Sequence, residues 1–259
     1  MSQREPEGPV PAGDPAMVER IWGARIAGIE GGYSDAYNAE RRVDERLMAT
    51  ALDLAVRPGL ALDVGSFYPE TPRRLAGLGW SVVCVDLSEE VCRRVQALDA
   101  VPGRRLRAVR CDAAALPFRP GAFDLVTDFA TSVVTPDAQS VVAQEIGVLK
   151  PGGVYVLVTN NRWSRSGRRN LRRQRRAGGR HPRWGYFSPL SLWQLWRLAR
   201  RYRLRLLRVD SEVHNAGSIG VCSSVLTRAV PGARRFLGWR LGAIFVERRT
   251  GAGSASSRD

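Results

Sequence analysis

Four aspartates stand at or close to the ends of short apolar runs, and their carboxylates are the side chains best suited to chemistry in this chain. They are Asp63, Asp86, Asp112 and Asp128. A carboxylate accepts hydrogen bonds from hydroxyl, amine and amide donors, and a well-placed one also takes up a proton during a reaction. The pattern therefore predicts a polar ligand site to which several strand ends each contribute an acid.

Apolar runs and helix signals alternate around these aspartates. Thr71-Pro72 and Thr135-Pro136 each place a hydroxyl before a proline, which is typical of a helix start. Such alternation implies right-handed crossovers and a mostly parallel sheet, and ligands bind sheets of this kind at the carboxyl edge. We predict strands over 60–65, 81–86, 105–111, 122–129, 154–158, 203–210 and 241–247, and helices within 33–54 and over 72–78, 88–98, 135–149 and 190–202.

Composition divides the chain into one domain and two tails. Residues 1–17 are rich in proline, glycine and glutamate, and residues 251–259 are small and polar, so both are predicted to be disordered. Residues 18–250 are long enough to bury one core. Within them, 161–184 interrupts the alternation and is interpreted as an arginine-rich insertion.

Several classes of protein are disfavoured by the composition. No run approaches the roughly 18 apolar residues that cross a bilayer, and residues 1–11 lack the apolar core of a leader, so a cytoplasmic location is expected. The four cysteines show no paired spacing, and two histidines leave little for a zinc centre. We therefore expect reduced thiols and no metal site.

The formal net charge of +15 is concentrated in one segment. Residues 162–184 hold ten arginines and no acid, which leaves only +5 for the rest of the chain. Together with Trp163, His181 and Trp184, these arginines could grip phosphates or stack bases, as in a nucleic-acid-binding protein. They could equally bind an anionic small substrate or an anionic lipid surface, or form a solvated loop.

Five motifs occur in a characteristic order. They are Asp63 with Gly65; Asp86; Cys111-Asp112-Ala113 followed by Leu116-Pro117-Phe118; Phe123-Asp124; and Val148-Leu149-Lys150-Pro151-Gly152-Gly153. With them the sequence from about 33 to 248 resembles the class I S-adenosylmethionine-dependent methyltransferases, especially the small-molecule group that includes the quinone-biosynthesis type. The resemblance implies a Rossmann-like α/β fold whose seven-stranded, mostly parallel sheet has an antiparallel last strand and helices on both faces.

The resemblance also implies S-adenosylmethionine as cofactor and a set of residues that bind it. A ribose diol would donate to Asp86, and the adenine would contact the Asp112 carboxylate and the Ala113 N–H, with Leu87 beside the ring. Asp63 is interpreted as orienting the glycine turn that follows the first strand.

The turn itself departs from the family pattern. Gly65 and Ser66 can still donate N–H groups to the cofactor, but Phe67 and Pro69 stand where the family usually has glycines. Glycine there lets the backbone turn with positive φ and approach a ligand closely. Phe67 is therefore expected beside the cofactor in a turn of altered path.

The implied activity is methyl transfer to a small organic acceptor, and an anionic acceptor is one candidate. This in-line displacement depends chiefly on holding the acceptor close to the methyl donor. For a hydroxyl acceptor the candidate bases are Asp128, which also lies at the cofactor edge, and His214, and Asp128 could equally cap the following loop. Tyr186 and the Asn160-Asn161 pair could line the acceptor site.

Two alternatives to a small-molecule methyltransferase stay open. Phe67 and Pro69 would suit a binding or scaffolding protein that keeps the fold without the activity. The arginines would suit an RNA-binding methyltransferase, although the sequence Asp128-Phe-Ala-Thr differs from the motif of enzymes that methylate base amines. A dinucleotide-binding domain is disfavoured because the G-x-G-x-x-G spacing is absent.

Overall fold

The computed structural model describes residues 15–23, 42–55, 57–66, 70–99, 105–212 and 240–247. Its strands are β1 (Leu60–Val64), β2 (Ser81–Asp86), β3 (Leu106–Arg110), β4 (Phe123–Phe129), β5 (Leu149–Asn160), β6 (Leu204–Glu212) and β7 (Arg240–Glu247). Within these residues the seven strands form one sheet in the order β3-β2-β1-β4-β5-β7-β6. All pairs from β3 to β5 are parallel, and β7 is antiparallel to both of its neighbours. The predicted sheet is thus confirmed.

Helices cover both faces of this sheet, as predicted. They are α1 (Pro15–Val18), continued by a π-helical turn (Glu19–Gly23), α2 (Arg42–Leu54), α3 (Glu70–Gly77), α4 (Glu89–Asp99), α5 (Ala138–Gly147), α6 (Arg165–Arg176) and α7 (Leu192–Arg201). Leu47 of α2, Leu75 of α3 and Val95 of α4 pack on one face. Val142 of α5 and Leu195 of α7 pack on the other. The central strands are therefore buried on both sides, which explains their continuous apolar runs.

The Leu-Lys-Pro-Gly-Gly motif fastens three strands at the amino edge of the sheet. The Lys150 ammonium donates to Asp124 Oδ2 at 2.8 Å, and the same oxygen accepts the Leu60 N–H at 2.9 Å. The tight turn predicted for this motif is instead an irregular start of β5, where Gly152 has φ +81° and the pairing with β4 shifts register. The motif thus stabilises the fold on the edge opposite the predicted ligand site.

Capping residues decide where two helices begin. Helix α5 starts at Ala138 rather than Thr135, because the Asp137 carboxylate accepts the Gln139 N–H. Helix α7 starts at Leu192, two residues later than predicted, because Ser191 forms a reciprocal capping box with Gln194.

Two segments of the chain contain helices that the sequence pattern did not predict. Residues 15–17, predicted to belong to a disordered tail, begin α1. Met17 is buried and packs against Gly185, where a Cβ would lie 2.7 Å from the Met17 Cε. The arginine-rich insertion also contains a regular helix, α6, whose first turn is capped by the Ser164 hydroxyl accepting the Gly167 N–H at 2.9 Å. The remaining residues of both predicted tails lie outside the described part of the chain.

Trp193 and Trp196 are on the outside of α7. Their side chains are 59% and 46% exposed, whereas Leu195 and Leu198 on the opposite side of the helix are buried. Arg197 and Arg200 lie on the same exposed side as the tryptophans, so the leucine side of the helix faces the core.

Candidate functional site

The carboxyl ends of β1, β2 and β4 lie side by side at the centre of the sheet. The register pairs Val64 of β1 with Val85 of β2 and with Asp128 of β4. The residues that follow these positions are Gly65, Asp86 and Phe129, so they meet at one edge. This is the edge at which the sequence predicts a ligand site.

Gly65 is fixed by both its conformation and its neighbours. Its φ is +71°, and a Cβ there would lie 1.9 Å from Thr131 Oγ1. The Thr131 hydroxyl donates to the Val64 carbonyl at 2.8 Å, which holds the loop after β4 against this turn. The N–H groups of Gly65 and Ser66 both point to the Val85 carbonyl, at 2.7 and 3.4 Å. The donors predicted for a ligand are therefore engaged by the neighbouring strand.

Asp63 orients the turn, as the sequence predicts. Its side chain is buried, with Oδ1 accepting the Thr127 hydroxyl at 2.7 Å and Oδ2 accepting the Ser66 hydroxyl at 2.8 Å. The carboxylate thus joins β1, β4 and the turn.

Asp86 ends β2 directly beside this turn. Its Oδ1 accepts the Ser88 N–H at 2.9 Å, and the Ser88 hydroxyl caps α4 by accepting the Val91 N–H at 3.4 Å. Burial raises the pKa of Asp86 to about 7, although the Ser88 and Leu87 N–H groups oppose the shift. The carboxyl is therefore poised between its neutral and ionised forms near neutral pH.

Asp112 and Ala113 present an acceptor and a donor together. Asp112 Oδ1 accepts the Ala114 N–H at 2.9 Å, which fixes the orientation of the half-buried carboxylate. Within the described residues, neither Asp112 Oδ2 nor the Ala113 N–H has a hydrogen-bond partner. Adjacent groups of this kind suit the amine and ring nitrogen of a purine edge.

Asp128 is fully buried and caps the turn after β4. Its two oxygens accept the N–H groups of Thr131 at 2.6 Å and Ser132 at 3.1 Å, which start a short 3₁₀ turn (Ser132–Val134). Burial raises the pKa of Asp128 to about 6. The hydrogen bonds match the loop-capping alternative, and proton transfer by Asp128 stays a prediction.

Another buried acid, Glu145, lies near Asp128 and was not predicted from the sequence. Its Oε2 accepts the Tyr155 hydroxyl, and its Oε1 has no partner in the described part of the chain. Burial and the nearby charge of Asp128 hold the pKa of Glu145 well above its usual range. Helical spacing could have revealed it, because Glu145 follows the core residues Val141 and Val142 by four and three positions.

The N-terminal segment also reaches this edge. Glu19 Oε2 accepts the Glu89 N–H at 3.0 Å, at the first turn of α4 and three residues from Asp86. On its other side, Met17 Sδ lies 3.7 Å from an Arg180 Nη1 of the arginine-rich segment. Residues 17–19 therefore connect the Asp86 region with that segment, a contact for which the sequence offers no signal.

Three of the predicted site residues are not described, and two others make local contacts. Phe67, Pro69 and His214 are outside the described residues. Asn161 is buried, and its Oδ1 accepts the Trp163 N–H at 3.0 Å, which gives it a structural part in the chain after β5. Tyr186 is half-buried, with the Arg180 guanidinium 5.8 Å from its ring centre.

The described residues contain neither a metal-binding cluster nor a membrane-spanning helix. Among these residues no group of three histidine, cysteine or acidic side chains is arranged to hold a metal ion. No described helix combines the length and apolar character needed to span a membrane. Cys84, Cys92 and Cys111 are free thiols, as expected.

The central part of the chain matches a known protein family. Residues 62–157 match a family model described as a methyltransferase domain. A malonyl-(acyl-carrier protein) O-methyltransferase from Geobacter sulfurreducens is 33% identical over 124 residues, which are 47% of this chain and 46% of the relative. A nocamycin O-methyltransferase from Saccharothrix syringae is 36% identical over 139 residues, covering 50% and 46%. The chain thus spans less than half the length of these curated relatives.

Solved structures share the fold at low sequence identity. A protein from Galdieria sulphuraria, provisionally assigned as a sarcosine dimethylglycine methyltransferase, superposes with a TM-score of 0.61 at 18% identity, covering 91% of this chain and 98% of that one. The (4+2)-cyclase SpnF also gives 0.61, at 14% identity, covering 90% and 94%. Such likeness shows the fold and leaves the reaction open. Residues 62–157 are thus similar to a methyltransferase domain, and the described sheet has the fold of these solved structures.

Proposed function

We propose that this protein transfers a methyl group from S-adenosylmethionine to a small organic acceptor. The observation that carries the proposal is the unpaired acceptor and donor at Asp112 and Ala113, one strand away from the half-buried carboxyl of Asp86. Both groups are half-buried, so they are accessible to hydrogen bonds from a ligand.

The residues at the carboxyl edge fit this cofactor. Asp86 would accept hydrogen bonds from the ribose diol, and Asp112 with Ala113 would bind the adenine edge, beside Leu87. Gly65 lets the turn pass without a side chain, and Asp63 with Ser66 keeps that turn in place. When bound, S-adenosylmethionine supplies an electrophilic methyl group.

The acceptor atom is proposed to be oxygen, because the two named relatives are O-methyltransferases. An anionic acceptor fits the arginines that follow β5 at the same edge. The chain would contribute mainly by holding the acceptor in line and excluding water. Above a pH of about 6, Asp128 is ionised and can serve as a proton acceptor or hold the loop for one, and His214 is the second candidate.

Titration calorimetry with S-adenosylhomocysteine tests the cofactor site. In Asp112→Asn the side-chain NH₂ group points either at the Ala114 N–H or at the adenine amine. In both orientations two hydrogen-bond donors face each other. We expect at least about tenfold weaker binding, as for the loss of one hydrogen bond to a charged group. Asp53→Asn, an exposed change on α2, is the matched control and should bind as the natural protein does. No binding to the natural protein at millimolar concentration would refute the proposal.

The engaged N–H groups of Gly65 and Ser66 favour a second candidate, a methyltransferase-fold protein that binds partners without catalysis. The double change Phe67→Gly and Pro69→Gly separates the two candidates. Cofactor binding that appears only in the double variant would support the non-catalytic protein. Methyl transfer by the natural protein to any hydroxyl or carboxyl acceptor would exclude it.

A further inference from the structure

Helix α7 exposes two tryptophans and two arginines along one stripe. The four residues are spaced i, i+3, i+4 and i+7, and the two indole rings are 59% and 46% exposed. A third tryptophan, Trp163, is 62% exposed just before α6. Exposed apolar side chains that lie close together, rather than singly, mark interaction sites. The stripe consists of Trp193, Trp196, Arg197 and Arg200.

Trp163 and the α7 stripe belong to one region of the surface. The Arg162 N–H donates to the Leu190 carbonyl at 3.0 Å, and Asn161 forms a β-bridge with the same residue. Trp163 is one residue from that hydrogen bond, and Trp193 is three residues from it. The region therefore lies beside the carboxyl end of β5, next to the candidate site.

This region carries a strong positive charge. Residues 162–200 contain twelve arginines and no acid. The arginines of α6 are exposed, and within the described residues none of them forms an ion pair. Together with Trp163 and the α7 stripe they form the arginine–tryptophan surface. The α6 members are Arg165, Arg168, Arg169, Arg172, Arg173, Arg175 and Arg176.

The arrangement of the indoles indicates what kind of anionic partner fits. The Arg197 guanidinium lies 4.6 Å from the Trp193 ring centre, and that of Arg200 lies 4.7 Å from the Trp196 ring centre. One face of each indole is therefore covered by a cation and closed to a stacking base. The tryptophans also project from a helix surface rather than from the walls of a groove, and single-stranded nucleic acid is usually bound in a groove.

We propose that the arginine–tryptophan surface docks the protein on an anionic lipid bilayer. Tryptophan side chains bind at the level of the lipid headgroups, and neighbouring arginines pair with anionic phosphates. A bilayer would therefore contact both residue types at once. The docked protein would hold the carboxyl edge of the sheet close to the bilayer. The inference does not depend on the proposed methyl transfer.

Vesicle sedimentation tests this docking directly. The full chain is mixed with vesicles of phosphatidylcholine alone or with about one-third phosphatidylglycerol, in about 0.1 M salt, where surface attraction still acts over about 10 Å. We expect binding to the mixed vesicles, at least about tenfold weaker binding to phosphatidylcholine, and release at about 0.5 M salt.

Variants separate the aromatic contribution from the charge contribution. Trp193→Ala with Trp196→Ala should weaken binding at least about tenfold, since each removes an interfacial anchor. Leu54→Ala with Leu78→Ala removes exposed apolar side chains elsewhere and should change nothing. Arg168→Gln with Arg172→Gln should weaken binding about tenfold or more, and Arg105→Gln with Arg107→Gln, at the opposite end of the sheet, is the matched control.

The results that overturn the proposal are equally definite. Equal binding to both vesicle types, or none to the anionic ones, would refute it. So would tighter binding to single-stranded RNA than to vesicles, with the same loss in the tryptophan variant, because the surface would then serve nucleic acid. Circular dichroism melting confirms that each variant is folded before it is compared.

Discussion

Binding of the cofactor product should depend on pH through Asp86. Burial raises the pKa of this carboxyl to about 7 in the free protein, whereas a ribose diol donates hydrogen bonds to the ionised form. Binding below this pKa therefore requires the loss of a proton. A carboxyl with this pKa is about nine-tenths ionised at pH 8 and about one-tenth at pH 6, so the affinity should fall about tenfold, or about 1.4 kcal/mol.

Calorimetry in two buffers of different ionisation enthalpy measures both the affinity and the protons released. At pH 7 about half a proton should leave for each S-adenosylhomocysteine bound, and close to none at pH 8.5. The neighbouring thiols do not titrate in this range, because burial raises the pKa of Cys92 to about 11 and that of Cys84 further.

Asp86→Asn supplies the decisive comparison. The amide keeps the size of the side chain but does not titrate. At pH 8 the variant should bind about 1.5–3 kcal/mol more weakly than the natural protein, and its own affinity should not change at pH 6. An affinity of the natural protein that stays within twofold over this range would refute the reasoning. An equal slope in Asp86→Asn would assign the pH dependence to another group.

Three further changes test the packing around the site by urea denaturation. Gly65→Ala should lower the free energy of unfolding by about 2–3 kcal/mol, because the residue has positive φ and its Cβ would displace the Thr131 hydroxyl. Adding Thr131→Gly should restore part of this stability. An unchanged stability of Gly65→Ala would contradict the close contact. Above a pH of about 4.5, Glu145 ionises only in the unfolded natural protein. The stability of Glu145→Gln relative to the natural protein should therefore rise with pH, by up to about 1.4 kcal/mol per pH unit. A stability difference that does not change with pH would show that Glu145 is ionised in the folded protein. Ala130→Gly should stabilise by up to about 1 kcal/mol, since Ala130 has φ +72°, and a clear loss would contradict that strain.

The sequence predicted the parts of the fold that depend on local pattern. Apolar runs as short as Leu60–Val64 suit strands buried on both faces, and these were found within one or two residues. The placement of Asp63 and Asp86 at neighbouring strand ends follows from parallel pairing, so the candidate site could also be predicted.

What could not be predicted depends on contacts between distant segments. The exposure of Trp193 and Trp196 follows from which side of α7 meets the sheet, and large apolar side chains occur on both sides of this helix. The use of the Gly65 N–H by Val85 follows from strand register, and the contact of Glu19 with Glu89 joins residues 70 positions apart. Local spacing carries no information about such pairings.

The position of β7 has a consequence for the synthesis of the chain. Although it is the last strand in sequence, it lies between β5 and β6, and β6 pairs with it rather than with β5. Until residues 240–247 leave the ribosome, β5 therefore has one open edge along an apolar run that is fully buried in the finished sheet. An open apolar edge is a template for pairing with another chain. A chain truncated before β7 would thus contain every aspartate of the site but would tend to aggregate.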